Sequence, residues 1–130
     1  MYLLDTNICV ALIKGNPAAV AKFDPKSKEC YLSTIVLAEL YKGVYCSQQF
    51  ETNFREVNQF IREMEIVPFD GDAAAEFGII QGELKRIGRP TGELDALIAA
   101  VARVRGDIVV THNTRDFINI PGLQLEDWLI

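Results

Sequence analysis

The chain has 130 residues and a mass of 14.5 kDa, a size that reads as a single domain, 1–130, with roughly two-thirds of its unfolded surface to bury. Hydrophobic residues make up 49% and charged residues 24%, a globular balance that excludes disorder as the main state. The formal net charge of −5 argues against a nucleic-acid binder that works by plain Coulomb attraction, so any phosphate site must bring its own positive charge.

Met1 to Leu4 is a short apolar run and reads as a buried strand; it has no basic region and reaches Asp5 at once, so it is no secretory signal. Asn7 to Lys14 reads as a helix that stops at Gly15-Asn16-Pro17. Ala18 to Phe23 is a second short helix, closed by Asp24-Pro25, and Cys30 to Ser33 is a second strand. Thr34 to Tyr45 is a helix with Ser33 or Thr34 as its N-cap. Phe50 to Met64 carries Phe50, Phe54, Val57, Phe60, Ile61 and Met64 at helical spacing. Glu65 to Phe69 is a third strand. Asp70 then caps a helix to about Ile87, with Ala73, Ala74, Phe77, Ile80 and Leu84 inward. Gly88 to Gly92 breaks the chain. Glu93 to Arg103 is apolar on nearly all sides and should be a buried helix. Its run Ala96 to Ala102 is the longest apolar stretch, far short of the ~20 residues that span a bilayer. Ile108 to Thr111 is the clearest strand. A helical turn at Thr114 to Phe117 and an edge strand near Leu123 to Leu125 complete the chain.

Strands alternating with helices predict an α/β fold: a three-layer α/β/α sandwich around a parallel sheet of four to five strands. In such sheets ligands bind beyond the C-terminal ends of the strands, near the switch point. Cys9, Cys30 and Cys46 are odd in number and lack metal-ligand spacing, so they read as reduced, partly buried thiols. The cytoplasm is the compartment this predicts, with no membrane partner.

Four carboxylates stand out. Asp5 follows the first strand directly, and Asp116 lies shortly beyond the strand Ile108 to Thr111. Glu39 interrupts an apolar helical run, and Asp95 is the only charged residue from Leu94 through Ala102. Each has a plain structural reading. Asp5 could cap a helix, Glu39 could pair with Lys42, and Asp95 could favour a helix dipole. Asn113 and Asp116 have the spacing of a capping box. Together, however, the four fall on elements that the fold brings to one edge. Clustered carboxylates raise one another's pKa, and a hard divalent cation removes that penalty. Oxygen donors without a His/Cys cluster suit Mg²⁺ rather than zinc or copper.

At the N-terminus, Leu3-Leu4-Asp5-Thr6-Asn7 resembles the opening of PIN-domain ribonucleases, and of the VapC toxins in particular. The segments Ser33 to Leu40, Gly92 to Ala100 and Thr111 to Phe117 are similar in the same order, as is Ile120-Pro121-Gly122-Leu123. The resemblance runs nearly end to end. It implies a PIN-like nuclease domain and a metal-dependent endoribonuclease, the toxin of a toxin–antitoxin pair. By carry-over, Asp5, Glu39, Asp95 and Asp116 form the acidic cluster on Mg²⁺, with Mn²⁺ able to substitute. Thr6 supplies a hydroxyl near the metal and Asn113 orients the last acid. The implied partners are an RNA substrate, a VapB-like antitoxin and a second copy in a homodimer. The face of Phe50 to Met64, with Tyr41 and Tyr45, would suit a partner helix, or it simply packs on the sheet.

For RNA contacts, Arg115 and the basic patch Lys85, Arg86 and Arg89 are candidates, although a solvated helix end explains that patch as readily. His112 reads as a partly exposed loop residue with no role. A receiver-type signalling module would place an acidic pair near the first strand, where Asp5 is followed by Thr6 and Asn7. An aspartyl phosphatase would need D-x-D there. A P-loop is absent, and a catalytically dead binding module would not keep all four acids.

Overall fold

The structure is a computed structural model describing residues 1–130. The elements run β1 (Tyr2–Leu4), α1 (Thr6–Ile13), α2 (Pro17–Phe23), a 3-10 segment (Asp24–Glu29), β2 (Cys30–Ser33), α3 (Thr34–Tyr45) and α4 (Phe50–Arg62). They continue with β3 (Glu65–Val67), α5 (Gly71–Ile87), α6 (Glu93–Arg105), β4 (Ile108–Val110), a 3-10 turn (Thr114–Asp116) and β5 (Gln124–Glu126).

The five strands form one all-parallel sheet in the order β3-β2-β1-β4-β5. Leu3, Leu4, Tyr31, Leu32, Val109 and Val110 are wholly buried, as strands covered on both faces must be. The chain steps from β1 through β2 to β3 on one side, then returns to β4 on the other. Right-handed crossovers therefore put α1 to α4 on one face and α5 with α6 on the other. The switch point lies between β1 and β4, where Leu3 sits opposite Val109. This is the three-layer arrangement that the sequence implies.

Local chemistry fixes the ends of the helices. The side chains of Asp5, Asn16, Ser33 and Asp70 accept backbone N–H bonds in the first turns of α1, α2, α3 and α5. Each such cap stabilises its helix by about 0.5–2 kcal/mol relative to alanine. Gly106 closes α6 at φ 71°, a left-handed conformation that a side chain would strain. Ala96, Ala99, Ala100 and Ala102 are fully buried, and these small side chains let α6 lie close against β4. Arg103 on α6 bonds Glu76 and Glu83 on α5 and the carbonyl of Pro121, so one guanidinium ties three segments together.

The structure shifts several expected boundaries. Helix α1 starts at Thr6 because Asp5 caps it, and Pro17 opens α2, where its missing N–H costs nothing. The segment after Phe23, read as a plain stop, is a 3-10 turn. Strand β3 ends at Val67, before a proline that cannot donate to a ladder. Helix α6 continues two residues past Arg103, to the glycine that can terminate it. Ala74 is exposed rather than inward, because Ala73, Phe77, Ile80 and Leu84 complete the inward stripe without it. Helix α6 is buried only through its middle; Leu94 and Val104 are exposed near its ends. Of the thiols, Cys9 and Cys30 are buried and Cys46 is exposed, all free. No helix is long and apolar enough to cross a membrane.

Candidate active site

Strand β1 ends where Asp5 begins to cap α1. Its Oδ1 accepts from the Thr6 backbone N–H at 2.8 Å, and its Oδ2 accepts from the Thr111 hydroxyl at 2.7 Å. Asp5 is 5% exposed, and burial pushes its carboxyl above the ordinary aspartate range. The two hydrogen bonds pull it back, and the charge of Asp116 pushes it up again. The helix-cap reading of Asp5 is therefore correct, and it uses only one of the two carboxylate oxygens.

Glu39 lies half-buried on α3, and its Oε1 accepts from the Thr6 hydroxyl at 2.7 Å. Burial raises its pKa first of all; the Thr6 bond opposes this, and the charge of Asp5 adds to it. Lys42 makes no ion pair with it, so the surface-pair explanation of Glu39 is not what the structure contains. Thr6 thus contacts two acids, one through its backbone and one through its side chain.

Asp95 sits in the first turn of α6, and no protein group donates a hydrogen bond to it. Its pKa is pushed up to about 6, by burial and then by the charges of Asp5, Asp116 and Glu39. Asp116 is exposed in the 3-10 turn after β4, and its carboxylate makes no hydrogen bond. The capping box expected from Asn113 and Asp116 does not form, since the Asn113 side chain caps nothing. Instead the Asn113 backbone N–H donates to the Thr111 hydroxyl oxygen at 3.0 Å. Asn113 touches none of the four acids through its amide.

Four elements thus bring Asp5, Glu39, Asp95 and Asp116 to the C-terminal edge of the sheet, within reach of one another's charge. None of them belongs to an ion pair. No three of them already stand in the close cluster of a ready-made metal cage. The donor set is all oxygen, which fits a hard cation. Mg²⁺ keeps several waters and uses only one or two direct carboxylates, so an open arrangement suits it.

Thr111 is the residue that sequence reasoning missed. It reads as the last β-branched residue of a strand. Its position just past β4, at the ligand edge, was the signal available. Nearby, Asn7 Oδ1 accepts from the His112 backbone N–H at 3.1 Å, which holds the loop after β4 against α1. The His112 ring is exposed and meets Asp127 at 3.0 Å, as expected of a loop histidine.

A cleft of about 220 Å³ opens beside Thr6 and Glu39, walled by Val10, Leu40, Val44 and Val57. The α4 face expected to line a groove is mostly core: Phe54, Phe60, Ile61 and Met64 pack on the sheet's main cluster. Tyr41, expected to be exposed, is half-buried, whereas Tyr45 is 66% exposed and meets Phe50 at a tilt and Phe54 edge-on. Lys85, Arg86, Arg89 and Arg115 are all exposed and free of ion pairs.

Comparisons with known proteins identify the family and agree with the fold. Residues 2–123 match the model of the PIN domain family. The tRNA(fMet)-specific endonuclease VapC of Shigella flexneri is 41% identical over 128 residues, covering 98% of this chain and 97% of that protein. The structure of DNA-bound VapBC from Salmonella typhimurium superposes with a TM-score of 0.92 at 40% identity, covering 98% and 97% of the two chains. VapBC2 from Rickettsia felis, bound to a DNA fragment from its promoter, gives 0.91 at 35% identity, with 98% of each chain covered.

Proposed function

Since this chain belongs to the PIN-domain family, on its VapC branch, we propose that it is a metal-dependent endoribonuclease, the toxin of a toxin–antitoxin pair. The observation that supports this best is the gathering of four carboxylates from four elements at the switch point, with no lysine or arginine paired to any of them. A divalent ion, Mg²⁺ or Mn²⁺, would supply the positive charge that a −5 chain lacks toward a phosphodiester, and would acidify water for attack.

The residues divide the work. Asp5 and Asp95 would hold the ion directly; Glu39 and Asp116 would do so directly or through water. Asp5 is fixed in orientation by Thr111 and by the Thr6 backbone, and Glu39 by the Thr6 hydroxyl. Asp95 and Asp116 carry no such bonds and are free to turn toward a ligand. Asn113 backs the loop that carries Asp116, through its backbone bond to Thr111. Burial of Asp5 beneath the sheet edge excludes water from one side of the site, which strengthens every charge interaction there.

The substrate is RNA, and the name of the Shigella flexneri relative makes initiator tRNA the first one to try. The similar VapBC structures support a VapB-like antitoxin as partner. The working state we propose is a homodimer in the cytoplasm. The test is incubation of the purified protein with initiator tRNA in Mg²⁺, in Mn²⁺, in Ca²⁺ and in EDTA. Cleavage is expected in the first two, little in Ca²⁺, whose flexible coordination holds in-line geometry loosely, and none in EDTA. Full cleavage in EDTA would overturn the reading.

A further inference from the structure

We propose that Lys85, Arg86 and Arg89 form a rail for RNA phosphates that delivers the strand to the Asp95 side of the site. This rests on the nuclease reading above and adds to it the place where the substrate backbone is gripped.

Helices α5 and α6 pack against each other as a hairpin, so the end of α5 and the start of α6 share one edge of the molecule. That edge is the one carrying the four acids. Gly88 turns the chain at φ 66°, and backbone bonds from Gly88 N–H to Lys85 and from Arg89 N–H to Leu84 pin the turn. The loop then runs straight into Asp95. A Cβ placed on Gly92 would lie 3.7 Å from Asp95 Oδ2, so the loop backbone passes against that carboxylate. Lys85, Gly88 and Pro90 also line a shallow cleft of about 310 Å³ on the approach to this loop.

The three cations are available. All are exposed and outside any ion pair. Glu83, whose carboxylate feels Arg86, is already held by Arg103 through bonds of 2.8 and 3.3 Å. On a chain of net charge −5, a strand entering beside four carboxylates needs a local positive track, and this is the densest one. Several cations along a short span suit a run of phosphates, because each one neutralised releases condensed counterions.

The test compares the triple variant Lys85→Ala/Arg86→Ala/Arg89→Ala with Lys22→Ala/Lys28→Ala/Arg62→Ala. The second set removes the same charge from exposed residues on segments leading into the opposite edge of the sheet. Binding of a fluorescein-labelled single-stranded RNA is followed by anisotropy in EDTA across a salt series, so that cleavage does not intervene. Each lost phosphate contact should flatten the slope of log K against log salt by about 0.7. The rail variant should therefore lose about 1 to 2 from the slope, and the control close to none. In Mg²⁺ its KM for RNA should rise with kcat nearly unchanged, the mark of binding shared by ground and transition states. An unchanged slope and KM, or equal losses in both variants, would overturn the proposal. Weakened binding of the antitoxin with RNA binding intact would overturn it in favour of an acidic protein surface. If the parent never cleaves RNA but the slope difference is present, the rail stands and the nuclease reading fails.

Discussion

Replacing Asp95 by asparagine should stabilise the metal-free protein at pH 8. Burial and three neighbouring carboxylates raise the Asp95 carboxyl from the ordinary 3.8 to about 6. At 1.36 kcal/mol per pH unit that shift corresponds to about 3 kcal/mol. The side chain is partly open to water, and screening brings the expected effect to about 1–2 kcal/mol. The sign follows from linkage. The folded-state pKa lies above the unfolded one, so the folded state pays no penalty below pH 3.8 and an increasing one as pH rises through 6. The variant, with no carboxyl to ionise, escapes this penalty, so its advantage should be full at pH 8 and shrink toward pH 4. The rival reading gives the opposite sign. If Asp95 only complements the dipole of α6, its charge stabilises by about 0.3–1 kcal/mol, and the asparagine variant loses that at pH 8. Urea denaturation in EDTA at several pH values between 4 and 8 decides between them. Mg²⁺ at a hundred times its Kd should stabilise the parent by about 2.7 kcal/mol and the variant by clearly less. A variant less stable than the parent at pH 8, with an unchanged response to Mg²⁺, would refute the crowded-acid reasoning.

Two more substitutions probe the same edge. Asp116→Ala removes a carboxylate with no hydrogen bond to lose, so thermal melts in EDTA should show stability unchanged or raised, while cleavage assays in Mg²⁺ should fall by orders of magnitude. Loss of stability with activity retained would return Asp116 to a structural role. Thr111→Val removes the donor to Asp5 Oδ2, a buried bond, and the acceptor for Asn113 N–H, a partly buried one. It should cost about 1–3 kcal/mol in denaturant titrations, and Thr111→Ser, which keeps the hydroxyl, should lose much less; a loss in the serine variant as large as in the valine one would refute the hydroxyl's role.

Much of the fold and the site is legible in the chain because its signals are local. Ile108-Val109-Val110 and the apolar middle of α6 each report burial through their own composition, and Asp70 and Ser33 announce helix starts by residue type. The grouping of Asp5, Glu39, Asp95 and Asp116 follows once strands and helices are placed, because each acid sits beyond a strand end or in a helix beginning there. What local signals miss is long-range pairing of ordinary polar residues. Nothing about Thr111 distinguishes it from other strand threonines until β4 lies beside β1. The absent capping box at Asn113 shows the reverse error, a local pattern that matched while the Asn113 N–H went to the Thr111 hydroxyl and the Asp116 N–H to the Asn113 backbone carbonyl. Arg103, bonded to residues 20 and 27 positions away on α5, is invisible for the same reason.

The pairing of β1 with β4 also sets when the acid-lined edge can form. Tyr2 lies opposite Ile108, so the central ladder joins the two ends of the sequence. Closing a loop of that length costs on the order of 4 kcal/mol in chain entropy before any contact rewards it. Long-range parallel pairing is slow for this reason. Asp5 is made long before Asp116, so the four acids cannot meet until the chain between them has been completed. The acid-lined edge is thus completed late, after the whole stretch between β1 and β4 has been made and the central ladder has closed.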